Sequence, residues 1–370
     1  MPYSNIDIIP MAFLFQMTTG IGGQPVINFA NSGNSCTLFS GTQLLNCPQI
    51  GEDITTCQTK YSKRILLSVG GATYTEAGFA STDKATAAAK QMWATFGPEQ
   101  DGSDALRPFG NASIDGFDLD FESPVNNIVP FAQTLRSLMD GASGNVPYLP
   151  SNTTTTPTAS STSAAIPTCT CCSNYVARQS HKRQSDGTTS TNGTEASAAT
   201  ARKFYLTAAP QCPYRDLADN MMLNGTVAFD AVFVQFYNNY CGVQAYTPTS
   251  TATTSTQSQT FSDHNPFNFA TWDNWAHTVS KNPNVQVFVG VPAGHTAAGT
   301  GYTPEDKLAP VIAYAKTYKS FGGVMMWDAS QAAANVGFLD GVKRSVRAAT
   351  RERVVRREGM GMVDVSDAGL

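Results

Sequence analysis

The sequence has little of what marks several large classes of protein. Only 14% of its 370 residues are charged, and no apolar stretch is long enough to span a membrane. The net charge is −4, so no basic surplus points to nucleic acid as a partner. Basic residues are instead concentrated near the C-terminal end: Lys343, Arg344, Arg347, Arg351, Arg353, Arg356 and Arg357. The rest of the chain is distinctly acidic, which favours a neutral substrate over a polyanion.

Histidine is scarce as well. The four histidines show no mutual spacing that suggests a metal site or a catalytic triad. They are His181, His264, His277 and His295. The sequence therefore predicts no metal and no cofactor.

A secretory leader is missing, since the first residues, MPYS, do not resemble one. Eight cysteines and four Asn-x-Ser/Thr sequons nevertheless favour the secretory route. The sequons begin at Asn111, Asn152, Asn192 and Asn224. We therefore expect an extracellular or cell-wall protein whose N-terminal part, with its leader, is lost by truncation.

One short stretch, residues 115–122, combines four acids with three apolar residues in the order DGFDLDFE. Successive side chains of a strand point to opposite faces, so Asp118, Asp120 and Glu122 share one face. The opposite face is apolar: Phe117, Leu119 and Phe121. Burying a row of like charges is costly unless the groups share protons or hydrogen bonds. The pattern therefore predicts a catalytic strand.

Two other interpretations of this stretch remain open. Clustered carboxylates bind Mg²⁺ or Ca²⁺ in many proteins, although no second acidic cluster occurs at a matching strand end. A solvated strand end, with Asp115 and Gly116 in a turn, would leave the apolar face unexplained. Asp115 lies on the opposite parity from the other three acids and is predicted to be structural.

Apolar runs alternate with helical patterns along the chain. Seven strands are predicted, over residues 6–17, 64–71, 115–122, 203–210, 231–237, 285–291 and 323–327. Helices are predicted between them, among them residues 83–96, 128–139, 267–279 and 339–349. The near-continuous run 6–17 is typical of a strand buried on both faces of a parallel sheet. The alternation predicts an α/β fold, a (β/α)₈ TIM barrel that lacks its first strand in this chain.

Two segments interrupt the alternation. Residues 144–201 are rich in Ser, Thr, Ala and Pro and contain Cys169, Cys171 and Cys172, and residues 247–260 are similar in composition. Such segments cannot bury a core and are predicted to be disordered, the longer one O-glycosylated. We therefore predict one catalytic domain over residues 1–345 with two inserts, and a charged tail over residues 346–370.

Glu122 is the predicted proton donor of the acidic strand. Asp120 stands two residues away on the same face, so the two cannot both ionise freely and the pKa of Glu122 is expected to rise. A protonated acid is what a glycosidic oxygen needs. An ordinary retaining glycosidase also needs a second carboxylate about 5–5.5 Å away, across the scissile bond. Here the second acid lies beside the first, which fits a nucleophile supplied by the substrate, such as a 2-acetamido oxygen.

Four motifs occur in an order that points to one family. DGFDLDFE matches the pattern DxxDxDxE, and residues 68–71, SVGG, match SxGG on the preceding strand. Residues 206–213, LTAAPQCP, and 234–239, VQFYNN, complete the set. Together they resemble glycoside hydrolase family 18, the chitinases, in its class III branch of plants and fungi. The resemblance covers residues 6 to about 345 without the inserts. It implies endo-acting, retaining and substrate-assisted cleavage of β-1,4 N-acetylglucosamine linkages.

The resemblance also implies a role for each matched residue. Glu122 would donate the proton and later act as base for water. Asp120 would orient the acetamido nitrogen and stabilise the oxazolinium ion, and Asp118 would share its proton. Tyr237, assisted by Gln235, would donate a hydrogen bond to the acetamido carbonyl. Trp327 and Met325 would form an apolar floor under the −1 sugar. Gly70 and Gly71 would let the backbone pass close to the carboxylates.

Some of the cysteines match the disulfide pattern of the family, and one does not. By resemblance Cys212 pairs with Cys241 across the active-site face, and Cys36 is expected to pair with Cys47. The family partner of Cys57 is absent, as is the family's first strand with its Tyr-x-x-Gln segment. These absences and the missing leader lead us to expect a truncated or mis-assigned precursor.

Two further functions are weighed against hydrolysis. A chitinase-like lectin or inhibitor would bind without turnover, but such relatives usually lose the acid, and Glu122, Asp120 and Tyr237 are all present. A cell-wall structural protein would use the Ser/Thr tract as a spacer. The expected partner is chitin or a chitooligosaccharide, with no nucleic acid, no membrane span and a monomeric state.

Overall fold

The computed structural model describes residues 6–143, 202–248 and 265–359. The strands are β1 (Ile8–Gln16), β2 (Val26–Ile27), β3 (Thr37–Leu38), β4 (Leu45–Asn46), β5 (Arg64–Gly70), β6 (Gly116–Asp120), β7 (Tyr205–Ala208), β8 (Ala231–Gln235), β9 (Gln286–Pro292) and β10 (Phe321–Trp327). The helices are α1 (Pro48–Tyr61), α2 (Thr82–Phe96), α3 (Ile128–Ala142), α4 (Asn220–Leu223), α5 (Phe269–Thr278), α6 (Glu305–Ala315), α7 (Ala329–Ala334) and α8 (Phe338–Gly359).

Eight of the strands form one sheet, in the order β10-β9-β8-β7-β6-β5-β1-β2. The seven strands from β10 to β1 are parallel, and β2 runs antiparallel to β1. β3 and β4 form a separate antiparallel pair. Because parallel neighbours need crossover connections, helices lie between the strands along the chain. The α/β fold and all seven predicted strands are therefore confirmed, with ends that differ by a few residues.

The prediction that residues 6–17 form a strand buried on both faces is wrong. Every residue of β1 except Leu14 is half-exposed. The reason is its position, since β1 pairs fully only with β5, and its other neighbour is the two-residue β2. Within the described residues β1 and β10 are not paired with each other, so a closed barrel is not seen. The two strands still approach one another, because the rings of Phe13 and Trp327 lie 5.5 Å apart.

The two faces of the sheet carry separate cores. Phe117, Leu119 and Phe121 of the acidic segment are at most 2% exposed and belong to the large core beneath the helices. A smaller cluster on the other face contains Leu66, Ala209, Ala231 and Phe233. The alternation of β6 is therefore as predicted, and each buried phenylalanine contributes about 2–3 kcal/mol of hydrophobic stabilisation.

Helix α2 shows how the local sequence sets one of the covering helices. Ser81 caps its first turn, because the Ser81 hydroxyl oxygen accepts a hydrogen bond from the Lys84 backbone N–H at 3.3 Å. Alanines fill its interior and favour the helix. The buried face recurs at helical spacing: Ala85, Ala88, Ala89, Met92, Trp93 and Phe96. Helix α2 packs against its neighbour α3.

Asp115 is structural, as predicted. It is fully buried at the amino end of β6, where it accepts hydrogen bonds from the Gln58 side chain at 2.9 Å and the Ile65 backbone N–H at 2.8 Å. It also pairs with Arg202 at 3.2 Å. This network joins α1, β5 and the residues before β7 at the end of the sheet opposite to Glu122.

Two disulfides join Cys36 to Cys47 and Cys212 to Cys241, as predicted. Cys57 is buried and takes part in neither of them. No helix in the described part of the chain is long and apolar enough to cross a membrane. Residues 144–201, most of the shorter insert and the end of the tail lie outside the described residues, so the predictions for them are not addressed.

Candidate active site

The carboxyl ends of the parallel strands bring the predicted site residues to one edge of the sheet. Gln235 is the last residue of β8 and Trp327 the last of β10. Gly71, Glu122 and Tyr237 follow β5, β6 and β8 by one or two residues. Because ends of parallel strands meet at the same edge, side chains far apart in the sequence become neighbours.

Gly70 and Gly71 allow β5 to run close to the carboxylates. Gly70 has φ +118°, and a Cβ placed there would lie 2.1 Å from the Asp120 carbonyl oxygen. The Gly71 N–H donates to that same oxygen at 2.7 Å. A side chain at position 71 would meet the ring of Phe13 at 2.9 Å. Only glycine therefore fits between β6 and Phe13 at these two positions.

Strand β6 ends at Asp120, so Glu122 does not lie within the strand as the sequence predicted. The last ladder bonds go to the carbonyls of Leu119 and Asp120, and the chain then bends. The alternation persists beyond the strand, because Phe121 is 2% exposed while Glu122 faces solvent. The result is one accessible carboxyl, Glu122, next to two buried ones, Asp118 and Asp120.

Asp118 is held by a hydroxyl from each neighbouring strand. Its two oxygens accept hydrogen bonds from Ser68 at 2.9 Å and Thr207 at 2.6 Å. The parallel register aligns all three residues, since Asp118 is directly paired with Ser68 of β5 and Thr207 of β7. Burial raises the pKa of Asp118, and the two hydroxyl hydrogen bonds oppose this rise.

Asp120 is held by Gln235. The Gln235 amide nitrogen donates to Asp120 at 2.9 Å and to the Ala209 carbonyl at 2.8 Å. The pKa of Asp120 lies well above its ordinary value, first because of burial and then because of repulsion from Asp118 and Glu122. The Gln235 hydrogen bond lowers it only in part. The buried pair therefore retains a proton to higher pH than ordinary aspartates do.

The pKa of Glu122 is raised as predicted, but the predicted cause is wrong. Partial burial raises it, whereas repulsion between the two acids acts mainly on the pKa of Asp120. The physical reason is the end of the strand, which leaves Glu122 in contact with solvent and Asp120 enclosed. Glu122 is thus an accessible carboxyl with an increased tendency to keep its proton.

Tyr237 lies two residues beyond β8 and is 7% exposed. Burial raises the pKa of its phenol, and repulsion from Asp120, Glu122 and Asp118 raises it further. The phenol therefore stays protonated and available as a donor. The next residue, Asn238, adopts a left-handed conformation with φ +57° and forms two backbone-directed hydrogen bonds with Thr300.

Trp327 is half-exposed at the end of β10, and its ring lies beside that of Phe13. Sequence analysis missed Phe13, because nothing in β1 distinguishes it from its apolar neighbours. Met325, predicted to share the floor with Trp327, packs against the small cluster of Leu66, Ala231 and Phe233. Its contacts in the structure are therefore with the core below Trp327.

Two further acids lie behind the carboxylate pair and were also missed. Asp216 accepts hydrogen bonds from the backbone N–H groups of Gln211, Ala218 and Asp219 at 2.8–3.1 Å. Asp219 is fully buried, and neither of its carboxyl oxygens has a hydrogen-bond partner among the described residues. The available signal was their position, because both acids follow the predicted strand 203–210 within a few residues.

The carboxyl of Asp219 resists ionisation. Its pKa is raised well above the ordinary value by burial, and then by repulsion from Asp216, Asp120 and Asp118. An unfolded chain ionises its aspartates near pH ~4. The folded state therefore loses stability relative to the unfolded state as the pH rises from about 4 toward the raised pKa.

The variant Asp219→Asn removes this loss, because asparagine does not ionise. We expect the melting temperature of the variant minus that of the wild type to increase with pH, by at least about 3 °C between pH ~4 and pH ~8. Differential scanning calorimetry at several pH values measures this, with the exposed Asp104→Asn as control. A difference that stays constant with pH would show that Asp219 ionises normally in the folded protein.

Among the described residues, no group of three or more His, Cys, Asp or Glu side chains is arranged to hold a metal ion. The arrangement instead supplies a solvent-accessible acid with a raised pKa, a buried carboxyl pair and a neutral phenol donor. Trp327 adds an apolar ring at the same edge. Such a set suits proton transfer to a neutral ligand whose reaction develops positive charge near the pair.

Comparison with solved structures identifies proteins of the same fold. A chitinase from Ipomoea carnea superimposes with a TM-score of 0.59 at 23% identity, covering 93% of each chain. A xylanase and alpha-amylase inhibitor protein from Scadoxus multiflorus has a TM-score of 0.58 at 22% identity, covering 94% of this chain and 91% of that one. The fold is therefore shared by an enzyme and an inhibitor and does not decide the function.

Relatives found by sequence comparison have higher sequence identity to this chain. A class III chitinase of Arthroderma benhamiae is 45% identical over 359 residues, 97% of this chain and 87% of the relative. Endochitinase 33 of Trichoderma harzianum is 39% identical over 93% of this chain and 84% of its own length. The profile of glycosyl hydrolases family 18 matches residues 4–301. With this profile spanning most of the chain and both relatives aligned along nearly all of it, the protein belongs to the glycosyl hydrolases of family 18.

Proposed function

We propose that the chain hydrolyses the β-1,4 bonds of chitin with retention at the anomeric carbon, using the acetamido group of the substrate as the nucleophile. The observation that carries this proposal is the contrast between Glu122 and Asp120. One carboxyl is accessible with a raised pKa, and the other is buried beside it and held by Gln235. The chitinase names of the relatives support the substrate class.

In the first step Glu122 gives its proton to the glycosidic oxygen. The bond between that oxygen and C1 breaks while the acetamido oxygen of the same sugar bonds to C1 from the opposite side. Asp120 accepts a hydrogen bond from the acetamido nitrogen and balances the charge of the oxazolinium ion. In this step Asp118, whose pKa is also raised, holds the one proton of the buried pair, so that Asp120 carries the negative charge.

In the second step Glu122, now ionised, takes a proton from water as the water oxygen attacks C1. The bond from C1 to the acetamido oxygen breaks, and the two inversions together give retention. Tyr237 donates to the acetamido carbonyl oxygen and holds it below C1. Trp327 lies under the apolar face of the sugar.

Three finer proposals accompany the reaction. Endo cleavage is supported by the name of the Trichoderma relative, Endochitinase 33. An extracellular or cell-wall location is supported by the two disulfides, since disulfides persist in oxidising compartments. An incomplete (β/α)₈ barrel is supported by the seven parallel strands and by the proximity of Phe13 to Trp327.

Hydrolysis of chitohexaose and cellohexaose under the same conditions tests the mechanism. We expect cleavage of chitohexaose with the β-anomer as the first product by ¹H NMR, and a rate on cellohexaose at least about 10³-fold lower, because glucose lacks the acetamido nucleophile. Inversion, or similar rates on both substrates, would contradict the proposal. Chitohexaose binding without cleavage would point to a lectin.

A further inference from the structure

The loop that follows β9, residues 293–303, connects the two sides of the candidate site. At its start the Ala293 N–H donates to the carbonyl oxygen of Trp327 at 2.7 Å. Near its end Thr300 and Asn238 exchange hydrogen bonds, from the Thr300 N–H at 2.9 Å and from the Asn238 N–H at 3.1 Å. Gly301 packs so closely on Tyr237 that a Cβ there would lie 2.7 Å from the tyrosine Cβ.

Two rings of this loop are in close contact. The centroids of His295 and Tyr302 lie 4.0 Å apart, with their planes at 50°. Tyr302 is fixed from behind, because its hydroxyl accepts a hydrogen bond from Asn335 at 3.0 Å and its ring packs on Phe338. Asn335 also donates to the Ala293 carbonyl at 2.8 Å and so holds both ends of the loop.

Packing against the core explains the position of the Tyr302 ring but not that of the exposed His295 ring. Tyr302 is partly buried against the core, whereas the imidazole of His295 is exposed to solvent at the edge that carries Glu122. His295 stands two residues from Ala293, within roughly 7 Å of the backbone beside Trp327. The ring of His295 is exposed and is held in place close to Trp327. Its face can contact the C–H groups of a second sugar, and its ring nitrogens can bond the hydroxyl or acetamido groups of that sugar.

We propose that His295, braced by Tyr302, binds a second N-acetylglucosamine residue of the substrate chain, adjacent to the one over Trp327. The identity of the sugar rests on the proposed function, whereas the position rests on the contacts of the 293–303 loop. The site binds substrate only and takes no part in proton transfer. Its contribution therefore requires a ligand of at least two sugars.

Isothermal titration of N-acetylglucosamine and of chitooligosaccharides of two to six sugars tests this in the Glu122→Gln background, where bound ligand is not consumed. We expect His295→Ala to weaken binding of the hexamer roughly tenfold and to leave binding of the single sugar within about twofold, as expected for one lost stacking contact. His295→Tyr keeps a ring at the position and is expected to restore most of the affinity. His277→Ala, an exposed histidine of α5, is the matched control and is expected to have no effect.

An equal loss at every length, or no loss for the hexamer, would overturn the assignment of His295. This result is separate from the proposed reaction, because binding is measured in a variant that cannot transfer the proton. A wild type that binds the hexamer through His295 but does not cleave it would overturn the proposed hydrolysis and support the binding site.

Discussion

Glu122→Gln is expected to lower kcat for chitooligosaccharide hydrolysis by about 10³-fold, because the amide cannot donate a proton to the leaving oxygen. The fold is expected to be unchanged, since the side chain faces solvent beyond the end of β6. KM is expected to change by less than about threefold, because the proposed contacts of Trp327 and Tyr237 with the sugar remain. Steady-state kinetics on a fluorogenic chitotrioside measure both constants.

The matched control for this variant is Glu99→Gln, an exposed glutamate outside the strands, which is expected to retain full activity. The pH profile gives a second readout. The raised pKa of Glu122 places the loss of wild-type activity on the alkaline side, since activity requires the protonated acid and falls as pH rises through that pKa. Residual activity above about 10% in Glu122→Gln would mean that another group supplies the proton.

The parallel sheet and the carboxylate row could be predicted because both depend on local patterns. Apolar runs of strand length identified all seven parallel strands, and the alternation of residues 117–121 correctly assigned the two faces of β6. The exposure of β1 could not be predicted, because it depends on which strands pair with it. A run of apolar residues has the same appearance at an edge and at the centre of a sheet.

The electrostatics of the site depend on tertiary structure and were only partly predictable. Sequence spacing indicated that Asp120 and Glu122 interact, but their different burial decides which pKa responds to the repulsion. Asp219, in a loop about one hundred positions along the chain, has its pKa raised by the same cluster. The ring contact between His295 and Tyr302 likewise requires the loop contacts to Asn238 and Trp327, for which the sequence has no periodic signal.

Asp120→Asn is expected to lower kcat by about 10²–10³-fold, because the variant lacks the negative charge that balances the oxazolinium ion. The same change is expected to raise the melting temperature at neutral pH. In the wild type the buried carboxyl resists ionisation, so the folded state loses stability as the pH rises above about 4, and asparagine removes this loss. The Gln235 contact is kept, since the asparagine oxygen still accepts its hydrogen bond.

Opposite changes in activity and stability separate a role in the reaction from a role in folding. Kinetics and calorimetry on the same sample measure both, with Asp118→Asn as the comparison. Asp118 accepts hydrogen bonds from Ser68 and Thr207, and the proposed reaction gives it no contact with the sugar, so its replacement is expected to cost less activity than that of Asp120. A less stable Asp120→Asn protein, or one with wild-type kcat, would show that the buried charge serves the fold and that the acetamido group is held by another residue.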